Sequence, residues 1–186
     1  MTESTPFAGF VLTGGRSRRY GSDKALIDIG GVPLAAHLLG LLADAGADPV
    51  STVGGPDRGI GFPHIFDRFA GAGPLGGLIS ALDECARAWA LVVATDLAAL
   101  DVATLTDMVG ARTESCDAVV ALSDRREPMC AIWRVRPALK VMLRSWTDGQ
   151  RGVLPLFDML ETVEHVVDPA ALRNVNRPVD HVSSNE

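Results

Sequence analysis

The sequence has few of the residues that build disulfide frameworks or metal clusters. Among its 186 residues are three cysteines and four histidines. Cys85, Cys116 and Cys130 are far apart and include no C-x-x-C pair, so neither a disulfide framework nor a zinc site is indicated. We expect them to be buried as small apolar side chains. The histidines show no ligand spacing and no nucleophile pairing, and we expect structural roles for His37, His64, His165 and His181.

The sequence also lacks long apolar runs and an excess of basic residues. No window approaches the about 18 uncharged apolar residues of a membrane span, and residues 1–6 lack the basic and apolar parts of a signal peptide. The formal net charge of −6 argues against a general surface for nucleic acid or anionic membranes. These absences predict a cytoplasmic protein that binds neither nucleic acid nor membranes. With 47% hydrophobic residues, the chain is expected to fold as one domain, 1–186.

Strand patterns and helix patterns alternate along the chain. Apolar runs predict strands at 7–12, 49–53, 89–95, 117–122, 130–135 and 162–167. Helical spacing predicts helices at 33–45, 74–88, 102–111 and 137–146, and a short helix at 153–160. This alternation predicts a three-layer α/β fold, with a mostly parallel sheet between helices on both faces. Ligands of such sheets bind at the C-terminal ends of the strands, where we expect residues 15–24, Gly54, Asp67 and Asp96.

The segment after the first predicted strand is rich in glycine and positive charge. Its charged residues within 16–24 are Arg16, Arg18, Arg19, Lys24 and the single acid Asp23, a local charge of +3. Gly14 and Gly15 permit positive φ and close backbone approach, so that successive N–H groups can point at anionic oxygens. The pattern predicts a polyphosphate-binding loop, and a solvated basic surface loop is the alternative.

This loop is not a Walker A motif, whose pattern is G-x-x-x-x-G-K-[ST]. One residue too many separates Gly15 from Gly21, and Lys24 follows Asp23 instead of a glycine. A P-loop NTPase is therefore not indicated.

A second glycine motif lies further along the chain. Residues 71–76, GAGPLG, match the dinucleotide-binding pattern G-x-G-x-x-G, and Asp96 follows 20 residues later. The preceding residues 63–68 are interrupted by proline, aspartate and arginine, and Pro74 removes an N–H from the loop. An oxidoreductase that binds NAD(H) through Gly71 and Gly73 is therefore a weaker alternative.

The segment 12–24, LTGGRSRRYGSDK, resembles the signature L-A-G-G-x-S-x-R-M-G-x-D-K of the molybdenum cofactor guanylyltransferases. Further similarities are GGVPL at 30–34, GPLGG at 73–77, Asp96 at a strand end and NVN at 174–176. The resemblance implies a Rossmann-like nucleotidyltransferase fold of the nucleotide-diphospho-sugar transferase type. It also implies transfer of GMP from GTP to the phosphate of molybdopterin, with Mg²⁺ as cofactor and pyrophosphate as product.

The resemblance also implies the functional residues. Those expected to bind nucleotide or cofactor are Leu12, Thr13, Gly14, Gly15, Lys24, Gly54, Asp67, Asp96, Asn174 and Asn176. Arg19, Lys24 and Asp96 would carry catalysis, with Asp96 as the metal ligand. Phosphoryl transfer needs mainly positioning and cations, and Mg²⁺ is commonly held by one or two carboxylates. From the residues alone, Asp96 could instead cap a helix that begins at residue 102, and Asn174 and Asn176 could be turn formers.

Several departures from the family pattern leave the substrate and the reaction open. Thr13 replaces alanine, Tyr20 replaces methionine, Gly54 stands where some members have asparagine, and the turn after Asp96 lacks a proline. Related cytidylyltransferases carry L-A-A-G at the start of the motif, whereas Gly14 leaves room for a larger purine edge and so favours guanine. Sugar-phosphate nucleotidyltransferases share a similar opening loop, and a non-catalytic nucleotide sensor is the alternative from another class.

The expected partners follow from the resemblance. GTP and molybdopterin would be the substrates, with transient contact to molybdopterin-carrying proteins and molybdoenzymes. Arg125, Arg126 and Arg151 are candidates for contact with the anionic pterin, or are solvated surface charges.

Overall fold

The computed structural model describes residues 5–14, 23–69 and 71–173. Its strands are β1 (Phe7–Leu12), β2 (Asp28–Ile29), β3 (Val32–Pro33), β4 (Val50–Val53), β5 (His64–Ile65), β6 (Trp89–Ala94), β7 (Ala118–Leu122), β8 (Arg126–Arg134) and β9 (Thr162–Val166). Its α-helices are α1 (Leu34–Asp44), α2 (Pro74–Asp83), α3 (Val102–Gly110) and α4 (Val135–Thr147). Short 3-10 helices cover Lys24–Leu26 and Leu154–Asp158.

A seven-stranded sheet has the order β5-β4-β1-β6-β8-β7-β9. β5, β4, β1 and β6 are parallel, and so are β7 and β9, whereas β8 runs antiparallel to both of its neighbours. The predicted mostly parallel sheet is therefore confirmed. Because β8 is reversed, its residues 130–134 pair with β6, and its residues 126–129 continue past the end of β6, where Cys130 pairs with Val93. The ends of four parallel strands and the start of β8 thus form one edge of the sheet.

Helices cover both faces of the sheet, which explains why the neighbouring strands β1 and β6 contain no polar side chain in their middle. Every residue of β1 is buried. Phe7 and Val11 join a core cluster with α1 and α3, whereas Ala8, Phe10 and Leu12 join a second cluster with α2 and α4. Alternate side chains of a strand point to opposite faces, so a strand between two helical layers is apolar at every position. This arrangement confirms the predicted three-layer α/β fold.

The helices occupy the predicted regions with some different ends. α2 ends at Asp83 instead of residue 88, and the next N–H groups shift to a tighter pattern, in which the Cys85 N–H donates to the Leu82 carbonyl oxygen over 3.2 Å. The short helix predicted at 153–160 is a 3-10 helix over Leu154–Asp158. None of the described helices combines the length and the apolar character needed to cross a membrane.

Some strands differ from their predicted bounds because hydrogen bonding between strands, and not amino-acid composition, determines where they begin and end. The strand predicted at 130–135 begins earlier, at Arg126, because its polar first residues pair with β7 beyond a bulge. The hairpin of β2 and β3 was not predicted, since each strand has two residues and neither is an apolar run. A strand does precede Asp67, as expected, and it is the two-residue edge strand β5.

The cysteines are packed much as predicted. All three are free thiols; Cys116 and Cys130 are buried, and Cys85 is partly buried. Burial raises the pKa of Cys130 to about 12 and also raises the pKa of Cys85. Because the thiolate is the reactive form, burial makes both thiols poor nucleophiles at neutral pH.

Candidate active site

One cleft lies along the edge of the sheet at which β5, β4, β1 and β6 end and β8 begins. Its volume is about 870 Å³. The predicted site residues that line it are Leu12, Gly14, Lys24, Gly54, Asp67 and Asp96. Most of them end or follow a strand of the parallel part of the sheet, so the strand order brings them together. Met129 of β8 also lines the cleft, although no motif in the sequence indicated it.

The remaining predicted site residues are placed differently. Gly15, Arg19, Asn174 and Asn176 lie outside the described residues. Thr13 is 7% exposed and is not among the residues that line the cleft. Its hydroxyl donates to the carbonyl oxygen of Gly54 over 2.7 Å, which ties the end of β1 to the residue after β4. Contact between Thr13 and a nucleotide stays a prediction.

Gly14 and Gly54 bring the ends of β1 and β4 into close backbone contact. A Cβ atom added at Gly14 would lie 3.3 Å from Gly54 Cα, and one added at Gly54 would lie 3.1 Å from Gly14 Cα. Gly54 also has a φ of +82°, which side chains disfavour. An alanine at position 14 would therefore press on the Gly54 backbone. The glycine pair keeps two walls of the cleft together, in addition to leaving space for a ligand.

Asp67 is oriented by its own turn and by α2. Its Oδ1 accepts a hydrogen bond from the Phe69 N–H over 2.7 Å, and the Ser80 hydroxyl lies 3.3 Å from the same oxygen. Ser80 is fully buried in α2. A Cβ added at Gly54 would lie 3.7 Å from Asp67 Cβ, so the side chain of Asp67 starts beside Gly54.

Asp96 lies in a turn that holds without a proline. The Leu97 N–H donates to the Ala94 carbonyl oxygen over 3.3 Å, and Leu97 itself is fully buried. The helix cap considered for Asp96 is wrong, because Asp101 caps α3 by accepting from the Thr104 N–H over 2.7 Å. Asp96 therefore does not cap this helix. It lines the cleft at the end of β6.

Lys24 begins a 3-10 helix that is capped by Asp23. Asp23 Oδ1 accepts from the Ala25 N–H over 3.1 Å, and Oδ2 pairs with Arg58 Nε at 2.7 Å. The Arg58 side chain is only 8% exposed. Its Nη1 donates to the Thr13 hydroxyl and its Nη2 to the Thr13 carbonyl oxygen, each over 3.0 Å. No pattern in the sequence indicated Arg58, a single arginine in a glycine- and proline-rich loop, because its partners are distant in sequence.

The second glycine motif belongs to this same cleft. Gly71, Gly73 and Pro74 line it, and Gly73 and Pro74 are the N-cap and the first residue of α2. In the Rossmann sheet order 3-2-1-4-5-6, the strand before the motif and the strand before the acidic residue are direct neighbours. Here the strand before the motif is the edge strand β5, and β4 and β1 separate it from β6, which carries Asp96. The structure therefore does not support a dinucleotide site at 71–76.

The arginines considered for the pterin do not line the cleft: Arg125, Arg126 and Arg151. Arg126 pairs with Asp158 and Glu164 at 2.6 Å each, and hydrogen bonds to these carboxylates raise the pKa of its guanidinium. Arg151 lies over the Trp146 ring, 3.7 Å from its centroid. Both side chains are engaged in contacts outside the cleft.

The carboxylates of the cleft fit a metal that arrives with a substrate. Within the described ranges, no group of three or more His, Cys, Asp or Glu side chains could hold an ion. Mg²⁺ is usually bound through one or two carboxylates, with phosphates and water completing its shell. Asp96 suits this mode, because it is partly exposed and borders the same cleft as Lys24.

Comparison with known proteins places these features in one family. The chain matches the family model described as MobA-like NTP transferase domain over residues 9–165. The probable molybdenum cofactor guanylyltransferase of Opitutus terrae is 36% identical over 156 residues, covering 81% of this chain and 77% of that protein. The molybdenum cofactor guanylyltransferase of Rhodobacter capsulatus is 34% identical over 179 residues, covering 93% and 92% of the two chains.

A solved structure shows the same fold. Molybdopterin-guanine dinucleotide biosynthesis protein A from Archaeoglobus fulgidus superimposes with a TM-score of 0.76 at 22% identity, covering 93% of this chain and 94% of that one. The nucleotide-diphospho-sugar transferase type of fold is thereby confirmed. Because the family model spans most of the sequence and relatives above 30% identity cover the same region, the chain belongs to the MobA-like NTP transferase family.

Proposed function

We propose that this protein is a molybdenum cofactor guanylyltransferase, which transfers GMP from GTP to the phosphate of molybdopterin and releases pyrophosphate. Family membership and the named relatives support the reaction class and the two substrates. The observation that carries the proposal is the cleft itself. Among the described residues, it combines a glycine-lined floor, Gly14 and Gly54, with the cation Lys24 and two carboxylates, Asp67 and Asp96.

The triphosphate binds where positive charge is concentrated and where glycines allow it to approach the backbone closely. Gly14 and Gly54 have no side chains that would keep phosphate oxygens away from the backbone, and α2 presents the positive end of its dipole through Gly73. Lys24 and Arg19 supply full charges. Displacement at the α-phosphorus leaves negative charge on the phosphoryl oxygens, and cations fixed beforehand stabilise that charge. The reaction requires no protein nucleophile.

Asp96 holds the divalent metal, which we propose to be Mg²⁺. A bound Mg²⁺ neutralises charge on the phosphate oxygens. The protein's own part is to present the Asp96 carboxylate at the end of β6, in the turn that Leu97 anchors.

The nucleoside and the acceptor occupy different ends of the cleft. The guanosine lies on the side of β1, β4 and β5, with Leu12 and Val53 as an apolar wall and Asp67 as a hydrogen-bond acceptor. Molybdopterin lies on the side of β6 and β8, near Met129, with Asn174 and Asn176 as further contacts. Transient contact with proteins that deliver or receive the pterin, in the cytoplasm, is part of the proposal.

The first test is a nucleotide panel. GTP, CTP, ATP, UTP and NADH are titrated by calorimetry with Mg²⁺, and pyrophosphate release is then measured with molybdopterin as acceptor. Selective GTP binding with turnover is the expected result. Selectivity for CTP would leave the proposed nucleotidyl transfer in place and replace guanine by cytosine as the preferred base. GTP binding without turnover would favour a sensor, and binding of NADH alone would refute the proposal.

A further inference from the structure

We propose that Arg58 is a positioning residue for the polyphosphate half of the cleft, acting through Asp23 on Lys24. The inference rests on the proposed function, because it assigns Lys24 to the nucleotide phosphates. Arg58 is not among the residues that line the cleft, so a direct contact with substrate is not part of its role.

The guanidinium of Arg58 joins segments that are far apart in sequence. It bonds Thr13 at the end of β1 through both Nη atoms, and it bonds Asp23 through Nε. Its Nη1 also donates to the Pro56 carbonyl oxygen over 3.0 Å, within the loop that carries Arg58 itself. One rigid, planar group therefore sets the end of β1, the loop after β4 and the start of the 3-10 helix relative to one another.

The connected segments are those that carry cleft residues. Gly14 directly follows Thr13, and Lys24 directly follows Asp23. Both Gly14 and Lys24 line the cleft. A change in the Arg58 contacts therefore shifts the lysine relative to the glycine floor on which the phosphates lie.

Both carboxylate oxygens of Asp23 take part in this linkage. Oδ1 caps the 3-10 helix at the Ala25 N–H, and Ala25 is only 1% exposed, which fixes the helix to the core. Oδ2 receives the Arg58 Nε–H over 2.7 Å. Because charge-assisted hydrogen bonds of arginine are strong and directional, this pair fixes where the helix begins and hence where the Lys24 backbone lies.

A buried arginine is more than a source of charge here. Its fork matches acceptors in three directions, which a lysine ammonium on a flexible stem cannot reproduce. Arg58→Lys keeps the charge and loses the geometry, so it tests positioning without leaving Asp23 beside a neutral side chain.

The matched control is Arg87→Lys. Arg87 also forms a forked contact with one aspartate, donating through Nε to the Asp48 carbonyl oxygen and pairing through Nη2 with the Asp48 carboxylate at 2.8 Å. It does not line the cleft. We expect Arg87→Lys to leave polyphosphate binding unchanged.

The test is a double-mutant cycle with a probe that lacks base and acceptor. The affinity of inorganic tripolyphosphate is measured by calorimetry for the wild type, Arg58→Lys, Lys24→Ala and the double variant. We expect each single variant to lose affinity by about tenfold, which corresponds to about 1.4 kcal/mol. The double variant is expected to bind no more weakly than Lys24→Ala. If Arg58 acts only by positioning Lys24, its replacement has no further effect on tripolyphosphate affinity once the lysine has been removed.

Additive losses in the double variant would overturn the positioning role, and so would unchanged binding in Arg58→Lys. Absence of tripolyphosphate binding by the wild type, or an unaffected Lys24→Ala variant, would overturn it as well. If Arg58→Lys does not fold, Asp23→Asn replaces it in the cycle, since the amide oxygen can still cap Ala25. A non-additive cycle in a protein that shows no turnover with GTP would keep this inference and refute the guanylyltransferase proposal.

Discussion

The contact between Gly14 and Gly54 can be tested by adding a single methyl group. Gly54→Ala places a Cβ 3.1 Å from Gly14 Cα and 3.2 Å from Gly14 N, and both neighbours are backbone atoms that cannot rotate away. The substitution also forces alanine into a φ of +82°. The left-handed backbone costs about 1–2 kcal/mol, and overpacking adds about 1–3 kcal/mol.

Gly59→Ala separates these two costs. Gly59 lies in the same loop with a φ of +61°, but a Cβ there meets nothing within 4 Å. This control should lose only the about 1–2 kcal/mol of backbone strain. The difference between the two variants therefore isolates the contact with Gly14.

Urea unfolding followed by circular dichroism measures the difference. With an m-value of about 2 kcal/mol/M, an extra loss of 1–3 kcal/mol moves the midpoint of Gly54→Ala about 0.5–1.5 M below that of Gly59→Ala. Gly54→Ala should also lose nucleotide affinity, because it separates two walls of the cleft, whereas Gly59→Ala should retain it. Equal midpoints for the two variants would refute the close contact.

Further predictions concern the charges, thiols and caps described above. Lys24→Ala should lower turnover by about 10²–10³-fold with an unchanged circular dichroism spectrum; a near-normal rate would remove Lys24 from the mechanism. Asp96→Asn should abolish activity together with the metal requirement, and unchanged metal affinity by calorimetry would place the metal elsewhere. At pH 8, a maleimide should label Cys85 slowly and Cys130, with its pKa raised to about 12, only after unfolding; rapid labelling of Cys130 in the native protein would contradict its burial. Asp101→Ala should lower the free energy of unfolding by about 1 kcal/mol through loss of the α3 cap, without changing activity.

Two of the four departures from the family signature, Thr13 and the missing proline after Asp96, have local explanations in the structure. Thr13, in place of alanine, donates its hydroxyl hydrogen toward Gly54 and accepts from Arg58, so the substitution adds a link between two walls of the cleft. The turn at Asp96 needs no proline, because Leu97 holds it through a backbone hydrogen bond and a buried side chain. The missing proline therefore gives no support to the alternative of a non-catalytic nucleotide sensor.

The sequence by itself determined the layers of the fold and most of the cleft. Strands buried on both faces are apolar at every position, and amphipathic helices repeat at their own period, so β1, β6 and the four α-helices could be read directly. Alternation of these elements then predicted that Gly54, Asp67 and Asp96 lie at a common edge. These features could be predicted from local patterns because burial and backbone conformation restrict which residue type is suitable at each position.

Only the tertiary structure decided which distant residues meet. The reversed direction of β8, which puts Met129 in the cleft, depends on hydrogen bonding to β6 and β7 and leaves no periodic signal. The same holds for Arg58, whose pairing with Asp23 spans 35 positions of the chain. A lone arginine in a loop has the composition of a solvated surface residue, and the physical cause of its burial is a set of acceptors that only the folded backbone assembles.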